Sequence, residues 1–94
     1  MFKWFENFAE SQFRKFVRDM IIASFPQFEE IEGVLPHSTV ETAYKTAWIQ
    51  IGKPAHGKAP SYYREECVRA AEYVMQFYTA AMQMMAAEQP AQAE

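Results

Sequence analysis

The residues whose types are best suited to chemistry fall in one short string, GKPAHGKA at 52–59. Gly52, four residues, Gly57 and Lys58 reproduce all but the last position of G-x-x-x-x-G-K-[ST], in which backbone N–H groups and the lysine hold nucleotide phosphates. The last position is Ala59, which has no hydroxyl to ligate magnesium, and the string follows a helical pattern instead of a strand. Ninety-four residues also leave no room for the parallel sheet that such a loop joins to its helix. The nucleotide-hydrolase reading fails, but a charge pattern survives it. Between Glu41 and Glu65 there is no acidic residue, while Lys45, Lys53, His56, Lys58 and Arg64 all fall there. Lys53, His56, Lys58 and Arg64 are therefore candidate ligands for an anion such as a phosphate, a carboxylate or a nucleotide, close to free N–H groups at a helix start. The competing arrangement lays the acidic 26–41 connection, with Glu29, Glu30 and Glu32, against this basic loop and neutralises it.

Other candidate chemistry is thinner. His37 and His56 stand beside Pro or Gly, outside any metal-ligand spacing, and no Cys/His pattern resembles a zinc site. The acidic cluster at 29–32 lacks the alternating oxygen ligands of a calcium loop. Cys67, the single cysteine, belongs to an apolar helical stripe with no histidine fixed beside it, so a nucleophile has no base to activate it. No metal, cofactor or catalytic residue is expected, and the chain reads as a non-enzyme.

The elements that would position these residues are helices. From Phe2 to Ser24 there is no Gly or Pro, and Ala9, Phe13, Phe16, Val17, Met20 and Ile21 recur at helical spacing. Pro26 disfavours helical geometry at Phe25 and ends that helix, with at most one short turn over 26–32. Ser38-Thr39-Val40-Glu41 reads as a capping box opening a second helix over 38–51, with Val40, Ala43, Tyr44, Ala47, Trp48 and Ile51 on one face and Gly52 as its stop. Ser61 caps a third helix over 61–87, and residues 89–94, small and polar around Pro90, form a disordered tail. The expected architecture is one all-α domain over 1–88. A long amphipathic N-terminal helix packs on a helix-turn-helix hairpin made of the second and third helices.

The surplus apolar surface bears on assembly. The third helix carries two adjacent seams, Tyr63, Cys67, Ala70, Val74, Phe77, Ala81, Met84 and Val68, Ala71, Met75, Tyr78, Met82, Met85. It spans about 38 Å at 1.5 Å per residue, so part of it overhangs its shorter neighbour. Opposite the core stripe of the first helix lie Trp4, Phe8 and Ile22. Exposed aromatics and methionines want a partner, which names Trp4, Phe8, Ile22, Met75, Tyr78, Met82 and Met85 as interface candidates. Small domains often gain stability by self-association, so the chain is expected to assemble as a homodimer or higher oligomer.

A net charge of −3 argues against a general nucleic-acid binder, for which a basic footprint is expected. No apolar run approaches the 18 or so residues of a membrane span. The first helix lying on a membrane surface, with Phe2, Trp4 and Phe5 inserted, is opposed by Glu6 and Glu10. The expectation is a cytoplasmic protein–protein interaction module, an adaptor, subunit or inhibitor. The alternative is an anion-binding protein using the basic loop at 53–64.

Overall fold

The computed structural model describes residues 3–53 and 59–88, the side chains of residues 3–6 excepted. It is all-helical: α1 (Lys3–Ser24), α2 (Phe28–Val34), α3 (His37–Gln50), a 3₁₀ turn (Pro60–Tyr63) and α4 (Arg64–Ala87). No strand occurs among the described residues. α1 ends where Pro26 has no N–H to continue it; the chain turns there through bonds from the Phe25 N–H to the Ile21 carbonyl and from the Phe28 N–H to the Phe25 carbonyl. α2 is a helix where the sequence suggests only a turn. It buries Phe28, and Leu35, seven residues on, is buried just beyond its end.

Both helix starts differ from the capping expectation. α3 begins at His37, with Pro36 as its N-cap residue and no side-chain cap. The Pro36 carbonyl accepts from the Thr39 and Val40 N–H groups, and Glu41 is drawn away to Arg14 on α1, so Ser38 and Glu41 form no capping box. At the other site Ser61 lies inside the 3₁₀ turn, whose N-cap is Ala59, and α4 starts without a side-chain cap. The end of α3 matches expectation. Gly52 takes φ +92°, its N–H reaches the Ile49 carbonyl and the Lys53 N–H reaches that of Trp48, the paired closure of a Schellman motif.

The core lies where α4 packs on α3 and α1. Phe13, Val17 and Ile21 from α1 meet Ala43, Tyr44, Ala47 and Trp48 from α3 and Cys67, Ala70, Val74 and Tyr78 from α4, all essentially without solvent contact. Phe13 and Trp48 approach with ring centroids 4.8 Å apart, and Phe28 stacks face to face on Tyr78 at 4.9 Å. From Tyr63 at the end of the 3₁₀ turn the buried stripe continues on α4 through Cys67, Ala70, Ala71 and Val74 to Tyr78, crossing from the first expected seam to the second. An α-helix drifts by about 20° per heptad against a strict 3.5-residue repeat, so neither seam stays on the core along the whole helix. Val68 near the start and Met84 near the end are left exposed.

Candidate functional site

Glu32 organises the surface between α1, α2, α3 and α4. Its carboxylate accepts from Arg18 Nε at 2.9 Å, from the Tyr78 hydroxyl at 2.9 Å and, more weakly, from the Tyr44 hydroxyl at 3.5 Å. One side chain of α2 is thereby bonded to each of the three longer helices. Burial pushes both phenols above the ordinary tyrosine range. The Glu32 charge adds to the shift at Tyr44; at Tyr78 the neighbouring Tyr44 and the bond to Glu32 add to it. A carboxylate that accepts from a guanidinium and from two hydroxyls kept protonated by burial bonds the helices to one another.

On one side of this cluster, between α1 and α3, lies a charged cleft of about 430 Å³. Arg14, Lys15 and Arg18 face Glu32, His37 and Glu41 across it, and the Arg14 guanidinium lies 5.1 Å from the centre of the Tyr44 ring. Each of these three cations already has an acidic partner. Arg14 makes a two-pronged bond to Glu41 at 3.2 and 3.1 Å, Lys15 meets Asp19 at 2.9 Å, and Arg18 holds Glu32 and, at 3.4 Å, Glu29. The Arg14 bond holds the Glu41 carboxyl below its ordinary range, with smaller help from His37, whose Nε2 is 3.3 Å away. An incoming anion would have to displace a carboxylate that is already in place.

Within the chain, Glu29, Glu32 and Glu41 of the acidic connection pair with Arg18 and Arg14 of α1, while residues 54–58 of the basic loop that the sequence sets against it lie outside the described residues. The i, i+4 spacing of Arg14 and Arg18 was the available signal, but charge spacing on one helix does not say which distant carboxylate will face it.

On the other side lies an apolar groove of about 380 Å³ between the α1–α2 corner and the second half of α4. Phe25 and Ile31 form one wall, Met75, Met82 and Ala86 the other, and Tyr78 the floor; Thr79 and Gln83 supply its polar atoms. No charged side chain lines it. Tyr78 is immobilised from below by the Phe28 stack and the Glu32 bond, whereas Met82 keeps 36% of its surface exposed. The floor is stiff and the methionine wall is adaptable.

Comparison with known protein families, with curated proteins and with solved structures finds no match for this chain.

Of the interface candidates, Met75, Tyr78 and Met82 converge on the groove. Tyr78 does so as a buried residue, 2% exposed, and not as a surface aromatic. Met85 is half-buried and lines a neighbouring cleft with Met84 and Pro36. Phe8 is half-exposed on α1 away from the groove, Ile22 packs against the core, and the side chain of Trp4 lies outside the described residues. Of the anion candidates, His56 and Lys58 lie outside the described residues. Lys53 is exposed in the left-handed region at φ +49°, and Arg64 is exposed at the first position of α4. Glu65 and Glu66 occupy the same first turn and already supply negative charge to that helix end. Among the described residues no cluster of His, Cys, Asp or Glu converges as a metal site, and no described helix is long and apolar enough to cross a membrane.

Cys67 is completely buried. Burial, with some help from Glu66, pushes its thiol up to about 11. A thiol-specific reagent at mildly alkaline pH is expected to modify Cys67 about a hundredfold more slowly than free cysteine until denaturant is added. Fast modification of the native protein would mean that the thiol is open and activated.

Proposed function

We propose that this chain is a non-catalytic protein–protein interaction module, an adaptor, subunit or inhibitor, which displays the groove between the α1–α2 corner and the second half of α4. The occupant is a helical segment of another protein, seated with apolar side chains against Met75, Met82 and Ile31. One observation carries this reading: an uncharged groove of about 380 Å³ with a fixed aromatic floor and a methionine wall, on a chain whose remaining large apolar side chains are mostly committed to the core. Rigid floors lower the ordering cost of binding, and methionine walls accept varied shapes. The run from Met75 to Ala86 spans about 17 Å at 1.5 Å per residue, which suits a partner helix of about three turns.

The test is selection of binders from a displayed library of helical peptides, followed by affinity measurement on groove variants. Met82→Glu and Ile31→Glu are expected to weaken the selected binders at least tenfold, while Lys53→Glu and Arg64→Glu leave them within about twofold. Circular dichroism melts of each variant establish that the fold is kept. Binders that ignore both groove substitutions yet depend on Lys53 or Arg64 would overturn the reading in favour of the basic segment.

A further inference from the structure

Every lysine and arginine in the chain lies at position 3, 14, 15, 18, 45, 53, 58, 64 or 69. None occurs from 19 to 44 or after 69. These two cation-free stretches are far apart in sequence, and the fold brings them together as the two walls of the groove: Phe25 and Ile31 from the first, Met75 to Ala86 from the second. The described acids of the same stretches divide into two sets. Asp19, Glu29, Glu32 and Glu41 are held by cations of α1. Glu30, Glu72 and Glu88 pair with no cation among the described residues. Glu30 is exposed on α2 directly before Ile31, and Glu72 lies one turn before Met75, on the face of α4 that continues into the groove. Glu88 closes α4 two residues beyond Ala86.

Helix ends reinforce the sign. The groove opens at the C-terminus of α1, where Phe25 follows Ser24, and at the C-terminus of α4, where Ala86 is in the last turn. Neither last turn carries a basic residue to offset the partial negative charge of its helix end. An apolar groove whose lining residues are flanked in sequence by Glu30, Glu72 and Glu88, none of them paired with a cation among the described residues, and which opens at two helix C-termini, attracts cations.

Building on the docking reading above, we infer that the partner segment is a cationic amphipathic helix, with apolar residues at i, i+3 or i+4 and i+7 seated in the groove and Lys or Arg flanking them at the rim. The attraction steers encounter and rejects acidic helices of the same apolar pattern.

The experiment uses three synthetic peptides of about 14 residues, long enough to cover the groove. They share the same leucine positions and carry Lys, Gln or Glu elsewhere; binding to the full chain is read by fluorescence anisotropy. The Lys peptide is expected to bind at least tenfold tighter than the Gln peptide, the Glu peptide weakest, with the spread shrinking at high salt. Glu30→Lys with Glu72→Lys should narrow the spread. Met82→Glu should weaken the Lys peptide at least tenfold even though it adds negative charge, which separates docking in the groove from general attraction to an acidic chain. Equal affinity for the Lys and Glu peptides, both lost on Met82→Glu, would overturn the charge inference and leave the docking reading standing. Lys-peptide binding indifferent to Met82→Glu would overturn both. A concentration-dependent dimer that disappears on Met82→Glu would show a second copy of this chain in the groove and overturn the heterologous partner.

Discussion

Glu32→Ala is expected to destabilise the protein by about 3 kcal/mol, the sum of a lost charge-assisted bond to Arg18 and two buried hydroxyls left unpaired at about 1 to 3 kcal/mol each, less relaxation. The basis is that Tyr44 and Tyr78 are each 2% exposed, so neither phenol can recover a water molecule without the core opening. Glu32 itself is only 17% exposed, and its bonds reach Arg18 on α1, Tyr44 on α3 and Tyr78 on α4. Denaturant unfolding measures the loss, and Glu30→Ala, an exposed carboxylate one residue from the groove, is the control expected within about 0.5 kcal/mol. Tyr78→Phe removes the donor and keeps the stack on Phe28. Alone it costs about 1 kcal/mol, and combined with Glu32→Ala it should cost at least about 1 kcal/mol less than the two singles added, because the same bond cannot be lost twice. A loss below about 1 kcal/mol for Glu32→Ala would show that water satisfies the phenols and that α2 is held by Phe28 and Leu35 alone.

The same cluster explains why a short acidic helix supports the groove. Tyr78 is at once the groove floor, the stacking partner of Phe28 and the donor to Glu32. Loosening Glu32 would therefore free the floor as well as weaken the fold. Peptide affinity for Glu32→Ala should fall even under conditions where most of the protein remains folded.

What could be read from sequence follows from which signals are local. The stripes of α1 and α3 repeat at helical spacing, and Phe13, Val17, Ile21, Ala43, Tyr44, Ala47 and Trp48 are buried as those stripes require. Gly52 stops α3 because the left-handed region is needed there, a property of one residue. α2 was harder to see. It has only seven residues, includes Gly33, and is held by Phe28 and Glu32 reaching partners on helices distant in sequence. The capping box at Ser38 failed for a related reason, since Glu41 had a stronger claim in Arg14, a guanidinium 27 residues away. On α4 both apolar seams were visible, but which half of each seam faces the core depends on helix drift and on where α2 packs. The seam pattern accordingly places Tyr78 at the surface, and the structure buries it. The groove was half legible: Met75 and Met82 were singled out, while Phe25 and Ile31, its other wall, come from a connection whose helix the sequence pattern did not reveal.

Alkaline unfolding should be steep and should report Tyr44 and Tyr78 together. Burial raises both phenols in the folded state above their unfolded value near 10, and Tyr63 is raised in the same direction. A group whose folded pKa is raised contributes stability that is complete below the unfolded pKa and is lost as pH climbs through the interval between the two. Above pH 10 the unfolded chain binds fewer protons than the native one, and stability falls by about 1.4 kcal/mol per pH unit for each buried phenol, or about 2.7 for Tyr44 and Tyr78 together. The Glu32 carboxylate sets the sign firmly, because ionising Tyr78 would place a second negative charge 2.9 Å from the first with no cation newly brought in. Absorbance of tyrosinate and circular dichroism, followed on the same sample, are the measurements. Tyr44 and Tyr78 are expected to ionise only in the pH range where helicity is lost, and Tyr78→Phe should lower the steepness of the stability decline by the share of one phenol, about 1.4 kcal/mol per pH unit, leaving the shares of Tyr44, Tyr63 and Cys67. If all five tyrosines of the chain ionised while the helices persisted, the two phenols would have to be open to solvent, and the stiff floor assigned to the groove would not exist.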